Sequence, residues 1–252
     1  MTSPRPYWHV PICDNQEALV PIPLQDFAAA PSHDYQSLGA PYGDLSPYAV
    51  RSGVLDALYQ AQAHLQAQYP SWRVYIFDAY RPVSVQQFMA NHAYQSLVTE
   101  KNLDKDALDA QTQSALWQEV YTIWAPPSNN PLTPPPHSTG AAVDVTLFNL
   151  KTESCVNMGS PIDELSERSQ PEHFAQMLAQ GNLEGTDLEA VKEAVKNRNH
   201  LAEAMLSAGF QRHRGEWWHF CLGDQMWAWL LEEQTTERQV AHYGRYDLLA
   251  QE

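Results

Sequence analysis

The sequence has few cysteines and no long apolar run. Its 252 residues include three cysteines, Cys13, Cys155 and Cys221, which form no CxxC pair. An odd and widely spaced set is typical of reduced thiols rather than of a disulfide framework. The first residues lack the apolar segment of a signal peptide, and no stretch approaches the length of a membrane span. We therefore expect a cytoplasmic protein that does not enter the membrane.

Basic side chains are also scarce. Lysine and arginine together number 15 against 30 aspartates and glutamates, which gives a formal net charge of −15. Nucleic acids and anionic membranes bind to basic faces, so neither is expected as the main partner. The same balance argues against an anionic cell-wall polymer and favours a small, diffusible substrate. The sequence does not indicate an oligomeric state.

The pattern of apolar residues predicts an α+β fold. Hydrophobic residues make up 44% of the chain, and its length suits one sizeable domain. Strand-like segments at 73–78, 142–148 and 216–222 alternate irregularly with amphipathic helical patterns. Because no regular βαβ alternation is present, we expect a single domain with a central antiparallel sheet flanked by helices and a metal site on the sheet face. Three segments are distinguished: an irregular N-terminal arm at 1–45 that packs on the domain, a main region at 46–222, and a C-terminal extension of the same domain at 223–252.

Capping residues indicate where two of the helices begin. Ser46 before Pro47 is typical of a helix N-terminus, and the apolar residues that follow recur at helical spacing. Thr186 and Glu189 match a capping box, and the helix that they open should end at Gly209. Shorter elements are expected as a strand near 18–22, helices over about 106–124 and 171–180, and a helix from about 226.

The segment His137-Ser-Thr-Gly-Ala-Ala-Val-Asp144 carries the first candidate metal ligands. Three prolines precede it, Gly140 permits a bend, and an apolar strand carries the carboxylate of Asp144 into the expected interior. A buried charge of this kind is unfavourable unless it is paired or bound to a metal. His137 and Asp144 are seven residues apart, so they would face opposite sides of a straight strand. His137 should therefore precede the strand and reach back across the bend.

His219 completes a set of two histidines and one carboxylate, which is typical of catalytic zinc with a fourth position left for water. A lone histidine is more often a surface or hydrogen-bonded residue. We assign that ordinary role to the other eight histidines, His9, His33, His64, His92, His173, His200, His213 and His242.

Glu216 and Arg81 are candidates for catalysis. A carboxylate outside the ligand set takes a proton from the metal-bound water in zinc hydrolases and passes it to the leaving amine. Glu216 lies three residues before His219, so either the strand begins after Glu216 or a bulge re-aims it. Arg81 follows the strand that ends at Asp78, where a fixed guanidinium could stabilise an oxyanion. The plain alternatives are a solvated glutamate at a strand end and a structural Arg81–Asp78 ion pair.

Four motifs in order resemble the VanX-type D-alanyl-D-alanine dipeptidases. They are Asp78-Ala-Tyr-Arg-Pro82, His137-x-x-Gly-x-Ala-x-Asp144, Met158-Gly-Ser-Pro-Ile-Asp163 and Glu216-Trp-Trp-His219. The resemblance covers roughly residues 45 to 222, so 46–222 is expected to be a zinc D,D-dipeptidase domain. It implies Zn²⁺ held by His137, Asp144 and His219, with Glu216 as general base and acid and Arg81 as transition-state stabiliser. It also implies that Asp163 receives the free ammonium group of a dipeptide substrate.

The chain departs from the family's pattern just before the histidine. The family commonly has serine two residues before it, and VanX has serine at both preceding positions, whereas this chain has Pro135 and Pro136. Those hydroxyls are expected near the substrate, so the exact dipeptide is left open. Two other functions are also left open: a peptidoglycan D,D- or L,D-carboxypeptidase or endopeptidase of the same fold, and a non-catalytic zinc-binding module.

Overall fold

A computed structural model describes residues 5–246 of the chain. The strands are β1 (Leu19–Pro21), β2 (Ala28–Ala29), β3 (Ala49–Arg51), β4 (Trp72–Asp78), β5 (Ala142–Asn149), β6 (Ser154–Cys155), β7 (Gln211–Arg212) and β8 (His219–Cys221). The helices are α1 (Asp34–Ser37), α2 (Ser52–Gln68), α3 (Val83–Glu100), α4 (Ala110–Val120), α5 (His173–Gln180), α6 (Gly185–Ser207) and α7 (Gln225–Thr235). These elements form a single α+β domain, which confirms the predicted fold class.

A six-stranded sheet in the order β2-β4-β5-β8-β7, with β6 also paired to β5, positions the site. The sheet is antiparallel except for the parallel pair of β2 and β4. Asp144 of β5 lies opposite Asp78 of β4 on one side and opposite His219 of β8 on the other. The register of β4 and β5 shifts between Ile76 and Asp78. Neighbouring positions on three strands therefore bring together Asp78, Asp144 and His219, which come from three separate parts of the sequence.

The main core lies between this sheet and helices α2 and α6. The apolar face predicted for α2 is buried there through Val54, Leu58, Ala61 and Leu65. One face of β5 contributes Val143, Val145 and Leu147, which are fully buried in the same cluster. Since side chains alternate along a strand, the face of Asp144 is left for the site. A second apolar cluster joins α3 and α4 beside the sheet.

The helix start predicted at Ser46 is wrong. Residues 49–51 form β3, which pairs antiparallel with β1, and α2 begins only at Ser52. The Ser46 hydroxyl accepts a hydrogen bond from the Tyr48 amide in a local turn. A Ser-Pro pair favours a turn as readily as a helix start. The pairing of β3 with β1, whose residues lie about thirty positions earlier, decided for the turn.

The capping box at Thr186 and Glu189 is also wrong. Helix α6 begins at Gly185, with Glu184 at the cap position and no side-chain capping bond. Glu189 is exposed and pairs with Lys192 at 2.9 Å instead of turning back to the cap. The C-terminal prediction was better, because α6 ends at Ser207 and Gly209 follows with a φ of +90°.

Other predicted elements are present with shifted ends. The strand near 18–22 is β1, the helix over 106–124 shortens to α4 after a 3-10 helix at Lys105–Ala107, and the last strand shortens to β8. The N-terminal arm contains a 3-10 helix (Pro6–His9), β1, β2 and α1. Residues 1–4 of that arm and 247–252 of the C-terminal extension lie outside the described residues. Within 5–246, no helix has the length and apolar character needed to cross a membrane.

Candidate active site

The three predicted metal ligands lie together on the sheet. His137 belongs to a 3-10 helix (Pro136–Thr139) that ends at Gly140, whose φ of +72° turns the chain into β5. The odd spacing between His137 and Asp144 is thereby accommodated as the sequence analysis anticipated. His219 is the first residue of β8. The side chains of His137, Asp144 and His219 are buried, and one potential ligand atom from each lies within 4.8 Å of the others.

The donor atoms have the spacing and chemistry of a zinc site. His137 Nδ1 lies 2.7 Å from the carbonyl oxygen of Ala79, so it carries the proton and leaves Nε2 as a ligand. His137 Nε2 lies 3.2 Å from Asp144 Oδ2 and 3.2 Å from His219 Nδ1. Two ligand atoms that are each about 2.0–2.1 Å from one tetrahedral zinc ion lie about 3.3 Å apart. The three residues therefore fit a single zinc ion.

Asp144 is kept ionised in spite of its burial. Burial by itself raises the pKa of this carboxyl, but the neighbouring His137 and His219 outweigh it and hold the pKa well below its ordinary value. An ionised carboxylate with two imidazoles is a ligand set that suits a divalent cation such as zinc. The charge state needed for metal binding is thus already favoured by the protein.

Arg81 serves as an ion-pair partner and also faces the site. Its Nε and Nη2 donate to Asp78 Oδ2 at 3.0 and 2.7 Å, and Nη2 also lies 3.3 Å from Asp144 Oδ2. Its guanidinium lies 5.1 Å from the ring centre of Tyr35 and 5.0 Å from that of Trp124. Burial alone lowers the pKa of Arg81, but Asp78, together with the other anionic groups around it, outweighs burial and raises the pKa above its usual range. Arg81 is therefore a fixed cation beside the candidate ligands.

Glu216 lies beside the ligands without joining their set. β8 begins after it, which is one of the two alternatives that its odd spacing from His219 left open. Glu216 is 6% exposed, and its Oε2 lies 3.8 Å from His219 Nδ1. Burial, followed by the carboxylates of Asp144 and Asp163, raises the pKa of Glu216 well above its ordinary value. A carboxyl with a raised pKa can hold a proton near neutral pH, as a general acid and base must.

Asp163 lies in the same cavity on the loop that follows β6. Its Oδ2 accepts a 2.5 Å hydrogen bond from the Tyr35 hydroxyl. Removal from water and then the nearby Asp144 raise the pKa of Asp163 to about 7. Its φ is +63°, a left-handed conformation that aspartate tolerates better than most residues.

Arg198 of α6 fixes the loop that carries Asp163. Its guanidinium donates to the carbonyl oxygens of Met158 at 2.8 Å, Arg168 at 2.8 Å and Gln170 at 2.9 Å. Burial lowers the pKa of Arg198 to about 10. Three backbone carbonyls of one loop are thus held by a single buried cation, which gives Asp163 a defined position.

Several neighbours of the site were missed by sequence reasoning. Tyr35 lies in the N-terminal arm, and Gln86 of α3 accepts from Arg81 Nη1 at 2.9 Å while its own amide donates to the Ala125 carbonyl. His213, which we had assigned an ordinary role, lies 3.6 Å from Glu216 Oε1. His213 and Gln86 lie within five positions of a motif residue, whereas Tyr35 lies far from every motif and carried no local signal.

A cavity of about 150 Å³ lies over these groups. Pockets for drug-sized ligands are larger, about 300–1,000 Å³, so this one suits a small molecule. Besides the three candidate ligands, its lining includes Arg5, Arg81, Pro136, Asp163, Arg214 and Glu216. All six site residues predicted from sequence therefore line one cavity.

Comparisons with known proteins identify relatives of this chain. A profile of the peptidase M15 family, described as D-Ala-D-Ala dipeptidase, matches residues 28–241. A D-alanyl-D-alanine dipeptidase of Synechocystis sp. is 43% identical over 247 residues, which cover 98% of each chain. A D-alanyl-D-alanine dipeptidase of Enterococcus faecalis is 34% identical over 169 residues, 67% of this chain and 70% of that one. Among solved structures, a vancomycin-resistance D,D-pentapeptidase VanY mutant in complex with Zn(II) matches with a TM-score of 0.43 and 14% identity, covering 92% of this chain and 96% of that one.

Proposed function

The chain belongs to the peptidase M15 family of D-Ala-D-Ala dipeptidases and is a metallopeptidase, and on that premise we propose that it hydrolyses D-alanyl-D-alanine, or a close D,D-dipeptide, to free amino acids. The observation that carries the proposal is the meeting of two histidines and a carboxylate with Glu216 and Arg81 in one small cavity. A non-catalytic zinc module would have no need of the last two residues. Their presence favours an enzyme.

His137, Asp144 and His219 would hold the metal, which we propose to be zinc. When bound there, a zinc ion supplies a Lewis acid and lowers the pKa of water. The protein's part is to keep His137 Nε2, His219 Nδ1 and the Asp144 carboxylate 3.1–3.2 Å from one another, close enough for all three to bind one ion. The hydrogen bond from His137 Nδ1 to the Ala79 carbonyl fixes the tautomer that this requires.

Glu216 would move the proton, and Arg81 would stabilise the developing charge. Glu216 takes a proton from the attacking water and delivers it to the amine nitrogen as the peptide bond breaks. Its raised pKa favours this role, because the protonated carboxyl persists long enough to act as the acid. Arg81 is held by Asp78 and so presents its charge to the oxyanion without reorganising.

Asp163 would bind the free ammonium group of the substrate. An ion pair there requires an unblocked N-terminus and so selects dipeptides over the interior of a longer chain. The Tyr35 hydroxyl, which donates to Asp163 Oδ2, would hold the carboxylate in place. Cleavage of N-acetyl-D-Ala-D-Ala as readily as of the free dipeptide would remove Asp163 from this role.

The experiment that tests the proposal is the Glu216→Gln variant. We expect its kcat on D-Ala-D-Ala to fall by about 10²–10⁴, the usual contribution of a general acid–base. Bound zinc should stay at the wild-type ratio, because Glu216 is outside the ligand set. Glu189→Gln, at an exposed glutamate on α6, is the matched control and should keep wild-type kcat. A near-normal kcat for Glu216→Gln would refute the assignment, and efficient cleavage of intact muropeptides would favour a carboxypeptidase or endopeptidase instead.

The cytoplasm is the location that we propose. Cys13, Cys155 and Cys221 are all free thiols, and the first two are exposed. Exposed thiols persist in a reducing compartment. The net charge of −15 favours a small dipeptide as the binding partner, because nucleic acids and anionic membranes bind to basic faces.

A further inference from the structure

Three arginines line the cavity, and two of them already have carboxylate partners. Arg81 is paired with Asp78, and Arg214 forms an ion pair with Glu233 and lies 4.7 Å from the ring centre of Trp229. Arg5 differs from both. Its Nη2 donates to the backbone carbonyls of residues 121, at 2.6 Å, and 124, at 3.4 Å. Among residues 5–246 its guanidinium forms no ion pair with a carboxylate, so no carboxylate in that part of the chain neutralises its charge.

Arg5 is held at the cavity wall. Its side chain is partly buried, and the two carbonyl contacts fix one end of the guanidinium. The 3-10 helix that follows packs on α7, where the ring centres of Tyr7 and Trp229 lie 6.4 Å apart. Arg5 is close enough to Glu216 to lower that residue's pKa. A cation is therefore presented to the same space as the proposed general base.

A dipeptide presents a charge of opposite sign at each end. In the proposed function Asp163 binds the ammonium group of the dipeptide. The carboxylate at the other end would be stabilised by a cation, and none has yet been assigned to it. Pro136 lines this cavity and offers neither a hydroxyl nor a backbone N–H. An arginine fork matches a carboxylate with two parallel hydrogen bonds. We propose that Arg5 binds the free C-terminal carboxylate of the dipeptide, an inference that rests on the proposed function.

This contact makes Arg5 a specificity residue that measures the length of the substrate. A C-terminal amide, or a third amino acid, replaces the negative carboxylate with a neutral group and loses the ion pair with Arg5. Together, Asp163 and Arg5 bind the two charged ends of the substrate. The enzyme then prefers a free dipeptide over any longer peptide.

The test compares D-Ala-D-Ala with D-Ala-D-Ala amide in the wild-type protein and in Arg5→Gln. The wild type should prefer the free acid. In Arg5→Gln the KM for the acid should rise by about 10- to 100-fold, the range expected for loss of a charged hydrogen bond, with little change in kcat. Kinetics on the amide should hardly change, so the acid-to-amide ratio of kcat/KM should collapse. General damage to the site would lower both activities and leave that ratio intact.

Two further variants complete the design. Arg5→Lys keeps the positive charge but not the fork, so its KM for the acid should lie between those of wild type and Arg5→Gln. Arg214→Gln removes a cation of the same cavity that already pairs with Glu233, and it should keep the wild-type ratio. The inference is overturned if Arg5→Gln keeps the preference for the acid, or if Arg214→Gln loses it. Failure of the wild type to cleave either compound would instead overturn the proposed function on which the inference rests.

Discussion

At the scale of single residues, the cavity brings together carboxyl groups whose pKa values are driven apart. The pKa of Asp144 lies below its ordinary value, because His137 and His219 face it. The pKa values of Asp163 and Glu216 lie above theirs, because both are withdrawn from water beside the charge of Asp144. Neighbouring carboxyl groups in a site of low dielectric cannot all be ionised at once, because their negative charges repel each other. A bound divalent cation and a substrate ammonium group would relieve this conflict, which agrees with the proposed chemistry.

Asp163→Asn should gain stability at alkaline pH while losing substrate affinity. The folded pKa of Asp163 is raised to about 7 from 3.8, so its favourable contribution is complete below the unfolded value and is lost as pH rises through about 7. At about 1.4 kcal/mol per pKa unit, the variant of metal-free protein should be more stable than wild type by up to about 4 kcal/mol at alkaline pH. Chemical denaturation between pH 5 and pH 8 measures this difference in stability. In steady-state kinetics, the same variant should show a higher KM for D-Ala-D-Ala than the wild type.

The gain of Asp163→Asn should shrink as pH falls from 8 to 5, because wild-type Asp163 becomes protonated. Asp56→Asn, at an exposed position on α2, serves as the control and should show no gain that grows with pH. A stability difference independent of pH would mean that Asp163 is not held in the surroundings described here.

At the scale of elements, the site depends on the register of β4, β5 and β8 and on one bend. The register sets Asp144 between Asp78 and His219. The bend at Gly140 lets His137 reach the same point from outside the strand. An added Cβ at Gly140 would lie 2.6 Å from Leu19 Cδ1, so β1 packs closely on this bend.

Gly140→Ala should weaken metal binding, and Gly181→Ala is its matched control. Both glycines have φ of +72° and ψ of +15°, so both variants carry the same left-handed penalty of about 1–2 kcal/mol. Only Gly140 has a close neighbour, whereas a Cβ at Gly181 meets no atom within 4 Å. Gly140→Ala should therefore lose more stability and displace His137, which lowers zinc affinity. Thermal unfolding and zinc titration against a competing chelator measure the two effects, and equal results for the two variants would contradict this account.

At the scale of the whole molecule, both terminal segments support the histidine bend. Arg51 donates to the Thr139 carbonyl at 2.8 Å, pairs with Asp14 at 2.8 Å and donates to the Gly244 carbonyl at 3.1 Å. The Tyr246 amide donates to the Ser138 carbonyl at 2.9 Å. We propose on this basis that the arm at 1–45 and the extension at 223–252 belong to one domain with 46–222. We further propose that these contacts fix the loop that presents His137.

Removal of the metal should lower the melting temperature of the whole domain. The proposed ligands come from three distant parts of the chain, so metal that binds only the folded state stabilises the entire fold. Free zinc at 100 times its Kd adds about 2.7 kcal/mol. For a chain of this size, that corresponds to a rise of roughly 5–10 °C in Tm. His219→Ala should abolish this response to zinc, and an unchanged Tm after chelation of wild-type protein would argue against a site built from these three residues.

Local signals predicted most elements, and failed where distant pairing intervened. The apolar spacing of α2 predicts a helix and the β-branched, aromatic run of β4 predicts a strand, and the structure has the same elements there. Ser46 and Thr186 each carry a plausible cap signal, but such bonds contribute only about 1 kcal/mol. The pairing of β1 with β3, and a helix that begins before Thr186, outweighed them.

The sequence by itself indicated the fold class, the family and the set of candidate ligands, because the pattern of apolar residues carries the first and short motifs carry the other two. The tertiary structure alone decided what surrounds them. Tyr35 reaches Asp163 across 128 positions, and Arg5 reaches the cavity through a contact with the backbone of residue 121, 116 positions away. Such contacts leave no periodicity or spacing in the sequence, since they depend on where whole elements pack. For that reason the candidate ligands could be proposed from the sequence, whereas the arginine proposed to bind the substrate's carboxylate could not.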